Sequence, residues 1–176
     1  LENRFTGWKD IDLSENGILE AKESGKKLYK KKIHIDKVYS SNLKRAKDTA
    51  FLAMKEANYE HLFSSDNLNM VVNSAINERD YGDLTGLNKK ETADKYGKEQ
   101  VQIWRRSFNV RPPGGESLED VVSRVQIFFE EMIRKDLDLN KNILLSGHGN
   151  SLRALLLILE IYTIDTISTA EIPTGK

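Results

Sequence analysis

The sequence predicts an α/β protein, because strand-like and helix-like segments alternate along the chain. Residues 142–146 form a short apolar run typical of a buried strand, and residues 152–159 repeat apolar side chains at helical spacing after two intervening glycines. A second strand-like run, residues 33–40, is likewise followed by a helical stripe. At 176 residues the chain is long enough for one α/β domain with a full-sized core.

Composition excludes several classes of site. Lys plus Arg and Asp plus Glu number 27 each, so no global charge drives binding to nucleic acid or to a membrane surface. Any cationic pocket must therefore be local. The chain has no cysteine and three histidines, which excludes disulfides and thiolate chemistry and argues against a histidine-rich metal site. No apolar run reaches the ~18 residues of a membrane span and no signal peptide opens the chain, so we expect a cytoplasmic protein.

His148 lies between two glycines, where the strand of residues 142–146 ends and a helix begins. Such junctions bind ligands in open α/β sheets, because strand ends are rigid and the first amides of a helix favour an anion. Gly147 and Gly149 supply only two of the three glycines of a dinucleotide fingerprint, and no P-loop ending follows. Without a Gly-x-Ser-x-Gly elbow, Ser151 is a poor nucleophile. The pattern favours a histidine held against a phosphate or carboxylate, although His148 can also simply end the strand.

The first part of the chain predicts a loop, a helix, a strand and a second helix. In the loop, Thr6 and Gly7 can offer a hydroxyl and a backbone amide to a ligand, or can form an ordinary turn. Ser14 can cap the first helix, whose lysine-rich end is explained as a solvated helix terminus. Residues 33–40 predict the strand, and the helix after it carries Arg45 in its first turn. An arginine there can bind a phosphate through its planar fork, or can be a surface residue.

The middle of the chain combines a strand-like run with a loop rich in ionisable residues. Residues 70–76 predict the strand, and the loop after it carries Glu78, Tyr81 and Lys89. Loops of this kind are either solvent-exposed linkers or site-forming loops. Glu78 lies closest to the strand end, so it is the best general-acid candidate in the chain.

A helix predicted over residues 91–108 carries two adjacent arginines, Arg105 and Arg106. Adjacent residues do not share one helix face, so at least one arginine points away unless both lie at the mouth of an anion pocket. The sequence Pro-Pro-Gly-Gly at residues 112–115 ends this region, and Ser117 can cap the long helix that follows.

Seven motifs follow one another in an order that resembles one known family. They are RFTGW, SNLKRAKDT, NERDYGDLTGLNK, WRR, PPGGESL, HGNSLR and IPTGK, at residues 4–8, 41–49, 77–89, 104–106, 112–118, 148–153 and 172–176. Their order and spacing closely resemble cofactor-dependent phosphoglycerate mutase, a member of the histidine phosphatase superfamily. Each motif alone is weak evidence, whereas seven in register over essentially the whole chain are specific.

The resemblance implies a three-layer α/β/α fold with a mostly parallel central sheet, formed by residues 1–176 as a single phosphoglycerate mutase-like domain. It implies interconversion of 3-phosphoglycerate and 2-phosphoglycerate in glycolysis and gluconeogenesis, through a phosphohistidine primed by 2,3-bisphosphoglycerate and without a metal. Glu78 would be the acid and base, His148 the second histidine beside the transferring phosphoryl group, and Arg45 a phosphate clamp. The remaining substrate contacts implied are Thr6, Gly7, Tyr81, Lys89, Arg105, Arg106, Gly149 and Asn150.

The chain departs from the family pattern at both ends. The family's nucleophilic histidine lies in an Arg-His-Gly motif that this sequence lacks, and we expect it, with the central first strand, upstream of Leu1. The family also continues into another strand after Lys176. The resemblance implies phosphoglycerate ligands and a homodimer or higher homo-oligomer, with no nucleic-acid or membrane partner. Two alternatives stay open: a broad-specificity histidine phosphatase, and a catalytically silent anion-binding protein if the nucleophile is truly absent.

Overall fold

The computed structural model describes residues 3–173 and divides the chain into two compact units. The helical unit comprises Leu1–Lys9, Asn77–Ile127 and His148–Ile172, and the sheet unit comprises Asp10–Ile76, Phe128–Gly147 and Pro173–Lys176. The last three residues of the IPTGK motif lie outside the described residues. The single domain expected over residues 1–176 stays a prediction.

The sheet unit contains a parallel sheet, which confirms the predicted α/β class. The strands of the described chain are β1 (Lys37–Ser40), β2 (Phe63–Ser64), β3 (Asn67–Leu68), β4 (Met70–Val72) and β5 (Ile143–Ser146). β1 lies centrally and pairs in parallel with β4 on one side and β5 on the other, while β2 and β3 form a small antiparallel hairpin. Parallel strands bring their carboxyl ends to one edge of the sheet, as expected for an α/β fold.

The described helices are α1 (Glu15–Lys31), α2 (Lys44–Glu56), α3 (Lys89–Tyr96), α4 (Lys98–Arg106), α5 (Leu118–Phe128), α6 (Arg134–Asp138), α7 (Gly149–Ile158) and α8 (Ile164–Ile167). Two predicted caps are confirmed. The Ser14 hydroxyl oxygen accepts from the Gly17 amide (3.1 Å), and the Ser117 hydroxyl oxygen accepts from the Asp120 amide (3.1 Å). None of these helices is long and apolar enough to cross a membrane.

Two strands are shorter than their apolar runs suggest. The strand predicted over residues 33–40 begins at Lys37, because its partner β5 begins at Ile143, which is paired with that residue. The run of residues 70–76 stays extended only to β4 and then turns. There the side-chain oxygen of Asn73 accepts from the Ala75 amide (2.8 Å), a local hydrogen bond that competes with continuing the strand.

The helix predicted over residues 91–108 is divided into α3 and α4 at Gly97. This glycine has a φ of 88°, which lies outside the helical range and which an L side chain rarely adopts. The division makes α4 a separate element whose last turn carries Arg105 and Arg106.

Each unit has its own apolar cluster. In the sheet unit, α1 packs on α2, and a buried cluster is formed by Ile35, Val38, Ala50, Ala53, Met54, Leu62 and Leu68. In the helical unit, a smaller buried cluster is formed by Phe5, Leu84 and Val101, with Tyr81, Ala93 and Trp104 packed against it. Tyr81 packs against this second cluster, so buried apolar side chains support the loop that carries it.

A buried carboxylate anchors the sheet unit. Asp136 is only 5% exposed, and its oxygens lie 2.7 Å from the ammonium groups of both Lys141 and Lys37. The Tyr39 hydroxyl donates to the same carboxylate (2.5 Å). The hydrogen bond from Lys141, followed by those from Lys37 and Tyr39, holds the pKa of Asp136 well below its ordinary value.

We expect Asp136→Asn to lower the free energy of unfolding at neutral pH by about 2 kcal/mol, a modest value because both lysines are about one-third exposed. A carboxyl group whose pKa is lower in the folded state stabilises the fold above its unfolded pKa of about 4. That stabilisation begins to fall below this value and is fully lost only as the pH falls through the lower pKa of the folded state, so the gap between wild type and variant should shrink progressively in acid. Urea unfolding at neutral pH and at a pH below about 4 measures the free energy of unfolding of wild type and variant, with the exposed Asp138→Asn as the control. A gap that does not change with pH would contradict the argument.

Candidate active site

Ten of the eleven predicted site residues lie in the helical unit. Arg45 is the exception, because it belongs to the sheet unit. It occupies the first turn of α2, as expected, and its backbone carbonyl accepts from the Thr49 hydroxyl (2.8 Å). Its role as a phosphate clamp stays a prediction.

The structure brings Glu78 together with Asn150 and Tyr81. The Asn150 side-chain amide donates to Glu78 Oε1 (2.8 Å) and to the Tyr81 hydroxyl (3.3 Å), and the Asn150 backbone amide also donates to Glu78 Oε1 (3.3 Å). The Arg79 backbone amide is a further donor to that oxygen (2.7 Å). The carboxylate therefore lies at the N-terminus of α7, where the helix dipole favours negative charge.

His148 is the N-cap of α7 and is almost fully buried, at 9% exposed. Its backbone amide donates to the Ser151 hydroxyl (2.9 Å), and that hydroxyl donates back to the His148 carbonyl (3.0 Å). These bonds start the helix at Gly149, earlier than the predicted residue 152, and give Ser151 a capping role. The junction of strand, glycine and helix thus holds His148 in extended backbone conformation.

Gly149 allows close approach between the helix start and two charged groups. A Cβ atom at this position would lie 3.2 Å from Arg153 Nη1 and 3.9 Å from Glu78 Oε2. The first distance is tighter than an ordinary van der Waals contact, so a side chain here would displace the guanidinium. The absence of a side chain at Gly149 therefore leaves room for the Arg153 guanidinium beside the start of α7.

Four cationic side chains form the cation cluster: Lys89, Arg105, Arg106 and Arg153. Burial, followed by the charge of Arg105 and then of Arg106, lowers the pKa of Lys89, whereas Glu78 opposes the shift. Burial and then the charge of Arg106 lower the pKa of Arg153, and Glu78 again opposes. Cations that lose solvent and repel one another are relieved by an anion, so this neighbourhood favours an anionic ligand.

Two further arginines of this neighbourhood, Arg153 and Arg79, were not among the predicted site residues. Arg153 donates to the Ala170 carbonyl (2.8 Å), and its buried Nε has no hydrogen-bond partner among the described residues. Asn150 and Arg153 are three residues apart in α7, so they lie on the same face of the helix. This spacing is the feature of the sequence from which Arg153 could have been predicted. Arg79 is 1% exposed, lies 4.7 Å from the Tyr81 ring centroid and donates to the Arg105 carbonyl (3.3 Å). No local pattern predicts the burial of an arginine in a charged loop.

Thr6 and Gly7 form a turn beside the same loop. The Lys9 amide donates to the Thr6 carbonyl (2.9 Å), and Gly7 has a φ of 47°. A Cβ atom on Gly7 would lie 3.0 Å from the Thr85 hydroxyl and 3.4 Å from the Tyr81 amide. The glycine is needed for both the turn and the close approach, while its contact and that of Thr6 with a ligand stay predictions.

The arrangement can bind an anion and move a proton. The Glu78 carboxylate is held by hydrogen bonds and lies within the electrostatic influence of the cation cluster. Within residues 3–173, no group of three or more His, Asp or Glu side chains is arranged to hold a metal ion. The chemistry supported by these side chains is proton transfer beside bound phosphate or carboxylate groups.

Comparison with known proteins gives close relatives by sequence. The family model of the histidine phosphatase superfamily (branch 1) matches residues 1–175. A 2,3-bisphosphoglycerate-dependent phosphoglycerate mutase of Bradyrhizobium sp. (strain BTAi1) is 46% identical over 99% of this chain and 82% of its own length. A protein of the same name from Methylobacterium sp. (strain 4-46) is 45% identical over 99% of this chain and 81% of its own length.

Solved structures share the fold at lower identity. A mycobacterial glucosyl-3-phosphoglycerate phosphatase aligns with a TM-score of 0.79 and 24% identity, over 96% of this chain and 78% of that chain. The protein YhfR of Bacillus stearothermophilus aligns with a TM-score of 0.78 and 22% identity, over 99% and 80%. The resemblance seen in the motifs is confirmed at the level of the family: the chain belongs to the histidine phosphatase superfamily.

Proposed function

We propose that this protein is a 2,3-bisphosphoglycerate-dependent phosphoglycerate mutase, which interconverts 3-phosphoglycerate and 2-phosphoglycerate in glycolysis and gluconeogenesis. Relatives 42% to 46% identical over 99% of the chain carry that name. The structural observation that carries the proposal is the Glu78 carboxylate, which accepts a hydrogen bond from the Asn150 side chain. The same carboxylate interacts electrostatically with Lys89 and Arg153 of the cation cluster. The reaction needs a proton-transferring carboxyl group beside a site for several negative charges.

The proposed roles follow from the chemistry of each side chain. Glu78 takes the proton from the attacking substrate hydroxyl and returns it to the departing one, while Asn150 orients the carboxylate. His148 neutralises charge on the transferring phosphoryl group. For Arg45, the role of a phosphate clamp is proposed from the family resemblance alone. The nucleophilic histidine, expected upstream of Leu1, accepts that group and divides the transfer into two easier steps.

The charge of the cation cluster fits 2,3-bisphosphoglycerate. Lys89 and Arg153 are both partly buried with lowered pKa values, and the charge of Arg106 contributes to both shifts. A ligand with two phosphates and a carboxylate would compensate this concentration of positive charge. When bound, 2,3-bisphosphoglycerate supplies the phosphoryl group that primes the upstream histidine. The further donors proposed for the substrate are Thr6, Gly7, Tyr81, Arg105, Arg106 and Gly149.

The proposal includes a cytoplasmic location and a homodimer or higher homo-oligomer, without a nucleic-acid or membrane partner. These statements are predictions of the sequence resemblance. Size-exclusion chromatography with light scattering tests the oligomeric state, and a monomer at micromolar concentration would contradict that part of the proposal.

The activity is tested with protein that includes the expected Arg-His-Gly segment. Incubation with 2,3-bisphosphoglycerate should leave acid-labile phosphate on a histidine, and 3-phosphoglycerate should become 2-phosphoglycerate at a rate that depends on this primer. Release of inorganic phosphate from many phosphomonoesters without isomerisation would instead identify a broad-specificity phosphatase. Binding of the primer without any turnover would identify a silent anion-binding protein.

The cation cluster gives a second test of the mutase. We expect Arg105→Gln to raise the KM for 3-phosphoglycerate about tenfold to a hundredfold, because one charge-assisted contact to the substrate is lost. Turnover at saturation should fall much less. Steady-state kinetics measures both constants, and Arg134→Gln, which removes an exposed ion pair with Glu130, is the matched control. An unchanged KM would place Arg105 outside the binding site.

A further inference from the structure

We infer that Glu116 and Arg124 are positioning residues that fix the backbone of the loop carrying Glu78. The inference rests on the proposed function, because it concerns the carboxylate on which that reaction depends. Both residues belong to the same unit as Glu78, with Arg124 in α5 and Glu116 just before that helix.

The two side chains form a bidentate ion pair. Arg124 Nε donates to Glu116 Oε1 and Arg124 Nη2 donates to Glu116 Oε2, both at 2.9 Å. The side chains are 19% and 22% exposed, so solvent screens the pair only weakly. A planar guanidinium facing a carboxylate in this way is held in both distance and direction.

The pair holds the peptide groups on both sides of the Glu78 Cα atom. With one of its two hydrogens engaged by Glu116, Arg124 Nη2 donates the other as a shared hydrogen bond to the Asn77 carbonyl and the Glu78 carbonyl, each at 3.1 Å. Those two carbonyls belong to the peptide planes before and after Glu78, so fixing both planes fixes the φ and ψ angles between them. Only the side-chain torsions of Glu78 are left to its own hydrogen bonds.

Glu116 fixes the next part of the same loop. Its Oε2 accepts from the Asp80 amide (2.8 Å), and its own amide donates to the Asp80 carbonyl (2.9 Å). A Cβ atom on the adjacent Gly115 would lie 2.8 Å from that carbonyl oxygen, which shows how closely the two backbones approach. One ion pair therefore holds residues on either side of Glu78.

Trp8 completes this support. Its indole N–H donates to the Glu78 carbonyl (2.6 Å), so that oxygen accepts from both Trp8 and Arg124. The Arg124 guanidinium lies 5.9 Å from the Trp8 ring centroid, within the range of a cation–π contact. The carboxylate of Glu78 is thus set by a supported backbone as well as by Asn150.

This network is expected to support catalysis by fixing the position of Glu78, not by adding charge to the site. A displacement of about 1 Å at a reacting group costs on the order of a hundredfold in rate. Lysine in place of Arg124 keeps the positive charge but loses the fork that reaches one carboxylate and two carbonyls. We therefore expect Arg124→Lys to impair the function although it conserves the positive charge.

The test is a double-mutant cycle in the protein carrying the Arg-His-Gly segment. We expect Arg124→Lys to lower kcat for 3-phosphoglycerate about tenfold to a hundredfold, with the KM changed less than about threefold. In a Glu78→Gln background the same change should lower the remaining kcat less than about threefold, because the group that it positions is already inactive. Arg134→Lys, in the exposed bidentate pair with Glu130, is the control and should leave kcat unchanged.

Amide hydrogen exchange gives a readout that does not depend on activity. The Arg79 amide donates to the Glu78 carboxylate, and we expect Arg124→Lys to speed its exchange about tenfold or more as that contact loosens. If Arg124→Lys does not fold, Glu116→Gln replaces it in both measurements, with the same results expected.

Two results would overturn the inference: losses in kcat that multiply fully in the double variant, or unchanged exchange at Arg79. The proposed function fails in a different way. A Glu78→Gln variant with wild-type turnover would remove Glu78 from the chemistry, whereas the exchange at Arg79 would still report whether the ion pair fixes the loop.

Discussion

Glu78→Gln should lower the turnover of 3-phosphoglycerate by about 100-fold to 10,000-fold, the usual contribution of a general acid and base. Glutamine keeps the shape of the side chain and an oxygen that can accept from the Asn150 amide and from the Arg79 amide. The variant should therefore fold and bind substrate with little change. What it loses is the ability to exchange a proton with the substrate hydroxyl.

Steady-state kinetics of the forward reaction measures this effect, and the KM should stay within about threefold of wild type. Glu91→Gln is the matched control, because Glu91 is an exposed residue in the first turn of α3. The same loss in both variants would point to a general effect on the protein. Wild-type turnover for Glu78→Gln would exclude this residue as the acid and base.

Gly82→Ala should destabilise the helical unit by about 3 kcal/mol or more, through overpacking and backbone strain together. Gly82 has a φ of 52°, and a Cβ atom there would lie 2.3 Å from the Gly114 carbonyl carbon and from the Pro113 oxygen. Both are backbone atoms, so no side chain can rotate away to make room. The Asp83 amide also donates to the Pro113 carbonyl (2.9 Å), which holds the two loops at this separation.

Gly86→Ala separates the two causes of that loss. Gly86 also has a positive φ, of 87°, but a Cβ atom there would meet nothing within 4 Å. It should therefore cost only the left-handed backbone penalty of about 1 kcal/mol. Urea unfolding of both variants measures the difference, which reports the contact between the two loops. Equal losses would show that this contact is not what requires glycine at residue 82.

The same substitution should affect activity, because residues 77–82 carry Glu78 and Tyr81. The contact of Gly82 with the loop of residues 112–115 and the hydrogen bond between Glu116 and Asp80 both hold this segment. A Gly82→Ala variant that still folds should therefore show reduced kcat as well as reduced stability.

Short-range patterns in the sequence predicted much of the fold correctly. Ser14 and Ser117 act as helix caps, and strands lie where residues 33–40, 70–76 and 142–146 predicted them. Apolar periodicity and capping act over a few residues, so they can be read without tertiary information. Strand lengths and the division at Gly97 were missed, because pairing partners and backbone angles decide them.

The candidate site shows a similar division. Glu78 and His148 were found from their position after strand-like runs, which is a local signal. The sequence left open whether Arg105 and Arg106 both face one anion pocket. In the structure, the charges of both arginines lower the pKa of Lys89, so both belong to the cation cluster. Arg153 joins the same neighbourhood, although the sequence assigned it no role.

By itself, the sequence determined the α/β class, the helix caps and the family, because motif order and periodicity are properties of the chain. Only the tertiary structure decided which polar groups support Glu78. Arg124 and Asn150 lie 46 and 72 positions from it along the chain, yet both are within hydrogen-bond distance. Hydrogen bonds between residues so far apart arise from packing, and packing depends on all the elements of the helical unit together.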